Sequence, residues 1–297
     1  MSFLCALSNK APLRLNCSKN AFLIPNRAAR EKQRSYLFRR DVSSTKPAYE
    51  GHVPLNALEN AFLAVGSGLV LLTNPNRADL VAALGETTAI GPVLPKLRDR
   101  MLDSAEGRRV LKTRPRINTR SVDMQKLALL PENTLGHTYV KWLERCEVTP
   151  DSREPVHYID DPELAYVMQR YRECHDLYHA SLGIPIDGLS ELAVKAFEFA
   201  NLGLPMAALS ALFGPLRLSS KKKERYYRKF LPWALRCGGS AQSMITVFWE
   251  ERWSQDIDEL RRELGIIEPP PVAWKKSKDI PMQEPTQEEA KNQTIKE

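Results

Sequence analysis

Apolar positions recur along this chain at steps of three and four, with no series at steps of two. The pattern predicts helices over residues 53–72, 77–88, 94–110, 123–130 and 138–146. A long helix then opens at Pro162, a partner runs from near Ser190 to about Asn201, and a last long helix covers 242–264. Asp160-Asp161-Pro162-Glu163 is a strong helix start, with an Asp cap and Pro at the first helical position. Asn74-Pro75 stops the first helix. That helix has a dense apolar part, 61–72, too short to span a bilayer, so it is expected to be buried. Only 156–159 reads as a brief extended segment. The expected fold class is all-α: a single helical domain over residues 45–275, followed by a polar, disordered tail over 276–297.

The long helix carries the chemistry. Leu164, Met168, Tyr171, His175 and His179 form one stripe at steps of three and four, and Gln169, Arg170 and Glu173 lie off it. The imidazoles of His175 and His179, four apart, stand one above the other, the spacing that two ligands of one ion need. Gly183, Pro185 and Gly188 then break the helix. A second helix can fold back and present Glu191 to the same ion. Two nitrogens with one or two carboxylates suit zinc, or less tightly iron or manganese. The stripe starts apolar, which places the metal against the core. Asp176 lies about 100° around the helix from His175. On geometry it is a less secure ligand, and it could instead orient an imidazole, act as a general acid or base, or pair with Arg172. Glu191 could instead complement the positive end of its helix or pair with Lys195.

Composition changes the picture at the N-terminus. The net charge of the chain is +7, yet the first 40 residues hold nine Lys or Arg and one acid, Glu31. Without them 34 basic and 35 acidic residues remain. A basic, hydroxylated, acid-poor stretch predicts a mitochondrial transit peptide over 1–40, with a basic disordered arm that binds nucleic acid as the alternative, and the body gives no reason to invoke nucleic acid. Five cysteines, odd in number and without a CxxC pair, argue for a reducing compartment. Cys174, beside His175, reads as an inert thiol.

Residues 199–216 carry no charge but are interrupted by Pro205, Gly214 and Pro215. They read as core or as the wall of an apolar lipid-binding pocket. A cluster of Lys221, Lys222, Lys223, Arg225, Arg228 and Lys229 follows, with aromatic residues among them. It suits an anionic membrane surface or, equally, a solvated helix face.

The run from Asp160 to Glu173, followed by His-Asp-x-x-His and a Glu twelve residues on, resembles the coenzyme Q biosynthesis protein four family. The resemblance extends to Leu84-Gly85-Glu86-Thr87-Thr88, Pro115-Arg116-Ile117, Gly203-Leu204-Pro205-Met206 and Phe213-Gly214-Pro215-Leu216-Arg217-Leu218. It implies a peripheral protein on the matrix side of the mitochondrial inner membrane, held in a complex of other ubiquinone-biosynthesis enzymes, and a homo-oligomer. It implies a divalent metal, zinc first, on His175, Asp176, His179 and Glu191. It also implies a lyase that takes the C1 carboxyl from 4-hydroxy-3-methoxy-5-polyprenylbenzoate, giving 2-methoxy-6-polyprenylphenol. Tyr178 or a metal-bound water is the candidate proton donor. The alternative is a non-catalytic lipid-binding scaffold of that complex with a structural metal. A phosphohydrolase ranks third, because His52, His137 and His157 lie in no comparable motif.

Overall fold

One long helix has no water-facing side beyond its first turn, because other described segments pack on every face of it. The computed structural model describes residues 46–272 and 274, so the expected leader over 1–40 and tail over 276–297 lie outside the described residues. The described chain holds α1 (Ala57–Thr73), α2 (Ala78–Thr88), α3 (Val93–Asp103), α4 (Ala105–Thr113), α5 (Met124–Ala128) and α6 (Leu135–Cys146). It continues with α7 (Pro162–Leu182), α8 (Gly188–Leu202), α9 (Pro205–Phe213), α10 (Ser220–Arg225), α11 (Leu231–Ser240) and α12 (Ile257–Leu264). A π-turn, Tyr226–Phe230, joins α10 to α11. No strand is present among the described residues, so the all-α expectation holds in a single helical domain.

Every residue of α7 from Ala165 to Leu182 is buried. Its start is as expected: Asp161 accepts hydrogen bonds from the Glu163 and Leu164 amides at 2.8 and 3.0 Å, and Pro162 sits where no amide proton is needed. The apolar stripe faces the core, but the residues off it are buried too. Arg170 pairs with Glu250, and Glu173 takes Arg116 and the Ile117 amide. Arg172 does not pair with Asp176. It binds Glu86 at 2.6 Å and the carbonyls of Ala82 and Pro155. A helix packed on all sides can keep charges on its polar side only if each finds a partner.

Three expected elements are corrected. The helix over 94–110 is two helices, because Ser104 is extended and caps α4, which folds back so tightly that only glycine fits at 107. A Cβ there would lie 2.6 Å from Met101 Cα. Residues 156–159 form no strand, since the Val156 amide goes to Gln169 and the His157 and Tyr158 amides to Glu86. The last helix covers only Ile257–Leu264. Before it, Asn201 accepts from the Met244 amide and donates to the Gly238, Ala241 and Gln242 carbonyls, and Glu106 accepts from the Phe248 amide. Asp256 then caps α12.

The apolar first helix is not buried. Within α1 only Ser67 is, and Leu58, Phe62, Val65 and Leu69 are exposed. Its start is a full capping box between Asn56 and Glu59.

α11 lies across α8 at close range. A Cβ at Gly238 would stand 2.5 Å from the Phe197 carbonyl and 2.9 Å from Ala200 Cβ. Gly238→Ala is therefore expected to cost about 1–3 kcal/mol. Urea denaturation checks it, with an unchanged circular-dichroism spectrum as the sign that the fold persists.

Candidate metal site

The break between α7 and α8 positions the site. Gly183 adopts a left-handed conformation (φ 70°) that ends α7, and the Ile184 amide returns to the His179 carbonyl at 3.1 Å. Asp187 then caps α8, accepting from the Leu189 amide at 3.0 Å and the Ser190 hydroxyl at 2.6 Å. The second helix thus opens at Gly188, slightly earlier than expected, and Glu191 stands on its first turn.

The structure brings His175, His179 and Glu191 together, with one ligand atom of each within 4.8 Å of the others. His179 Nε2 is 3.2 Å and His175 Nε2 3.6 Å from the Glu191 carboxylate. The rings meet edge to face, centroids 4.8 Å apart. Both histidines are buried and Glu191 is half-buried, so the site opens on its carboxylate side.

The other ring nitrogens are tied off. His175 Nδ1 donates to Glu198 at 2.5 Å, and His179 Nδ1 donates to the Pro185 carbonyl at 3.1 Å. With Nδ1 so engaged, each imidazole in its neutral form carries its lone pair on Nε2, facing Glu191. His179 Nε2 is buried without a hydrogen-bond partner, although the Glu191 carboxylate lies 3.2 Å away. A buried acceptor beside a carboxylate and a second free imidazole nitrogen is what a divalent cation requires, so the residues fit such an ion. Trp142 packs on His179, centroids 5.3 Å apart, and donates its indole N–H to the Ile184 carbonyl.

Glu198 was not found from the sequence. It is fully buried and also accepts from Tyr171 at 2.7 Å and Lys195 at 2.8 Å. Its signal was spacing: Glu198 follows Glu191 by seven, two turns along the same face of α8. Lys195 serves Glu198, not Glu191. Burial opposes charge on Glu198, but Lys195 and His175 outweigh it and hold its pKa at about 2. Burial and Lys195 oppose a charged His175, yet Glu198 and Glu191 raise its pKa. Burial likewise opposes charge on Glu191, which the two histidines hold well below the usual range.

A depressed carboxylate stabilises the fold fully above its unfolded value and loses that contribution as pH falls toward its folded value. For Glu198 the window runs from its ordinary 4.5 down to about 2. With chelator present, the melting temperature is expected to fall across that window, and less steeply in Glu198→Gln. Thermal melts at several pH values check this.

Asp176 is fully buried, but both its oxygens face Arg153, which follows the short turn Pro150–Ser152. The structure therefore does not bring Asp176 into the group of three. As a fourth ligand it would have to yield an oxygen from Arg153. The Arg153 charge also reaches Glu191. Tyr178 lies about 100° around the helix from His179, against Trp249, its hydroxyl buried without a partner. Burial holds that phenol well above its usual pKa. Cys174 is buried, its thiol pushed up by burial, in keeping with an inert role. The remaining histidines are engaged elsewhere: His52 with Asp160, His137 with the Leu130 carbonyl, His157 with the Gly51 carbonyl.

The family model described as coenzyme Q (ubiquinone) biosynthesis protein Coq4 matches residues 49–270. A mitochondrial ubiquinone biosynthesis protein COQ4 of Laccaria bicolor is 65% identical over 232 residues, 78% of each chain. That of Coprinopsis cinerea is 60% identical over 238 residues, 80% of this chain and 81% of that one. A solved structure from Nostoc punctiforme shares the fold with a TM-score of 0.57 and 20% identity, covering 69% of this chain and 98% of that chain.

Proposed function

The chain belongs to the coenzyme Q (ubiquinone) biosynthesis protein Coq4 family, with its role in ubiquinone biosynthesis, and from that premise we propose that it acts there as a metal-dependent carboxy-lyase. The substrate is 4-hydroxy-3-methoxy-5-polyprenylbenzoate and the product 2-methoxy-6-polyprenylphenol, with loss of the C1 carboxyl as carbon dioxide. The observation that carries the reading is the convergence of two free Nε2 atoms and one carboxylate, with both Nδ1 atoms already committed.

His175, His179 and Glu191 would hold the cation, zinc first, and Asp176 would join them if Arg153 released it. When bound, the cation supplies Lewis acidity toward substrate oxygens. The chain does the rest. Glu198 and the Pro185 carbonyl hold the imidazoles in register. Trp142 closes the His179 side against water. The reaction needs a proton at C1, after which the bond to the carboxyl carbon breaks and its electron pair returns to the ring. Tyr178 and a water of the site are the candidate donors; burial keeps the proton on the Tyr178 phenol at neutral pH but makes it a weaker acid than an exposed tyrosine. The polyprenyl tail needs an apolar site, to which residues 199–216 contribute.

The wider reading places the protein on the matrix face of the mitochondrial inner membrane, delivered by residues 1–40, as a homo-oligomer in a complex with other ubiquinone-biosynthesis enzymes. The relatives' names are mitochondrial, and no helix among the described residues is long and apolar enough to cross a membrane. A scaffold with a structural metal is the second reading, favoured by one observation: the three groups also tie α7 to the first turn of α8. Elemental analysis of the purified full chain, with carbon dioxide release measured before chelation, after it and after zinc is returned, separates the two. One metal per chain with turnover that follows the metal supports the lyase. Metal without turnover, even with partner enzymes supplied, leaves the scaffold.

A further inference from the structure

We propose that the outward face of α1, with the exposed end of α9 and the basic segment after it, docks on an anionic lipid bilayer. The proposal deepens the reading of this protein as a peripheral membrane protein and rests on it.

α1 is built the wrong way round for a helix in water. Leu58, Phe62, Val65, Leu69 and Leu72 follow one another at steps of four and three, so they form a single line. All five are exposed, Phe62 to 71%. The opposite side is small and polar: Ser67 is buried, Gly68 faces Leu84, and Asn60 donates to the Thr87 carbonyl at 3.0 Å. That side is fastened to α2, so the apolar line is held outward. The only charge in the helix is Glu59, consumed by the capping box. An ordinary surface helix shows the reverse arrangement, and a continuous apolar face this size marks an interaction site.

The patch does not stop at α1. Arg217 donates to the Leu71 carbonyl at 2.9 Å, which brings the end of α1 to the turn Gly214–Arg217. Leu212 and Leu216 are exposed there, Leu216 to 65%. The basic segment begins at Lys221, four residues beyond that turn. Residues 203–249 carry eight Lys or Arg and one acid, Glu224. An apolar line beside a basic cluster is the composition of a helix lying in a bilayer interface: side chains enter the acyl boundary and lysines meet the phosphates.

Charge decides against the other occupants. A second copy seated on the same face would bring two basic segments together. Residues 1–40 hold nine basic residues and one acid, so they do not complement the cluster either. An anionic headgroup layer does.

The test uses the full chain and flotation with vesicles, either phosphatidylcholine alone or an equal mixture with phosphatidylserine, at physiological salt. Wild type is expected to bind the anionic vesicles at least about tenfold more tightly than the neutral ones. Phe62→Ser combined with Leu69→Ser is expected to weaken that binding about tenfold. Lys221→Glu combined with Lys229→Glu is expected to weaken it by about tenfold or more. Helicity and melting temperature should be unchanged, because these side chains point outward. If both double variants float like wild type, the surface is wrong while peripheral binding stands. If wild type binds neither vesicle, the peripheral reading itself fails and takes the proposal with it. If the α1 variant instead changes the oligomeric state without lipid, the face is a contact between copies and the proposal is overturned.

Discussion

Glu191→Gln is expected to lower zinc affinity by at least about a hundredfold and carbon dioxide release with it, because losing a donor exceeds the effect of losing its support. Glutamine keeps the shape of the side chain but removes the charge that faces two imidazole nitrogens at 3.2 and 3.6 Å. Glu191 is half-buried at the mouth of the site, so the helical signal should persist. Glu198→Gln tests the support. Its amide oxygen can still accept from His175 Nδ1, but it neither polarises the ring nor answers the Lys195 charge. An affinity loss of about 10–100-fold is expected there, with the ligands intact. Excess zinc should therefore restore turnover in Glu198→Gln and not in Glu191→Gln. Competition with a chromophoric chelator measures both. If Glu191→Gln keeps one metal per chain and full turnover, the ion is held elsewhere.

The second large effect concerns the fold. Glu86→Ala is expected to cost about 3–5 kcal/mol, a large part of the stability of an ordinary domain. Glu86 is buried in α2 and pairs with buried Arg172 at 2.6 Å. Its other oxygen accepts the His157 and Tyr158 amides. Alanine leaves a buried guanidinium and two amides without that acceptor. Glu86→Leu combined with Arg172→Met should recover much of the loss, since it removes both charges. Urea denaturation of single and double variants decides. A loss below about 1 kcal/mol in Glu86→Ala would mean that Arg172 finds another acceptor.

Local signals were legible wherever the physics is local. Asp161-Pro162, Gly183 and the i,i+4 histidines bound and arm α7 within a few residues, and the structure agrees. Glu191 could be placed because the α7–α8 turn is short and its breakers are explicit. Glu198 had a spacing signal seven residues on, but nothing in the sequence said that its carboxylate, and not that of Asp176, would take His175 Nδ1. That choice depends on Arg153, 23 residues from Asp176, arriving from a loop to occupy it.

The sequence by itself determined the helical class, the starts of α2, α3, α5 and α7 to within a residue, and three converging ligand groups, because capping, periodicity and i,i+4 geometry act over one or two turns. Tertiary structure decided the rest. It broke the expected last helix by diverting backbone groups to Asn201 and Glu106, and it divided the helix over 94–110 at Ser104. It buried the charges beside the stripe of α7 by supplying Glu250, Arg116 and Glu86 from distant segments. It also turned the long apolar helix α1 outward. Hydrophobicity records that a surface avoids water, but which surface covers it depends on the neighbours the fold brings, and for α1 only the small, polar side has one.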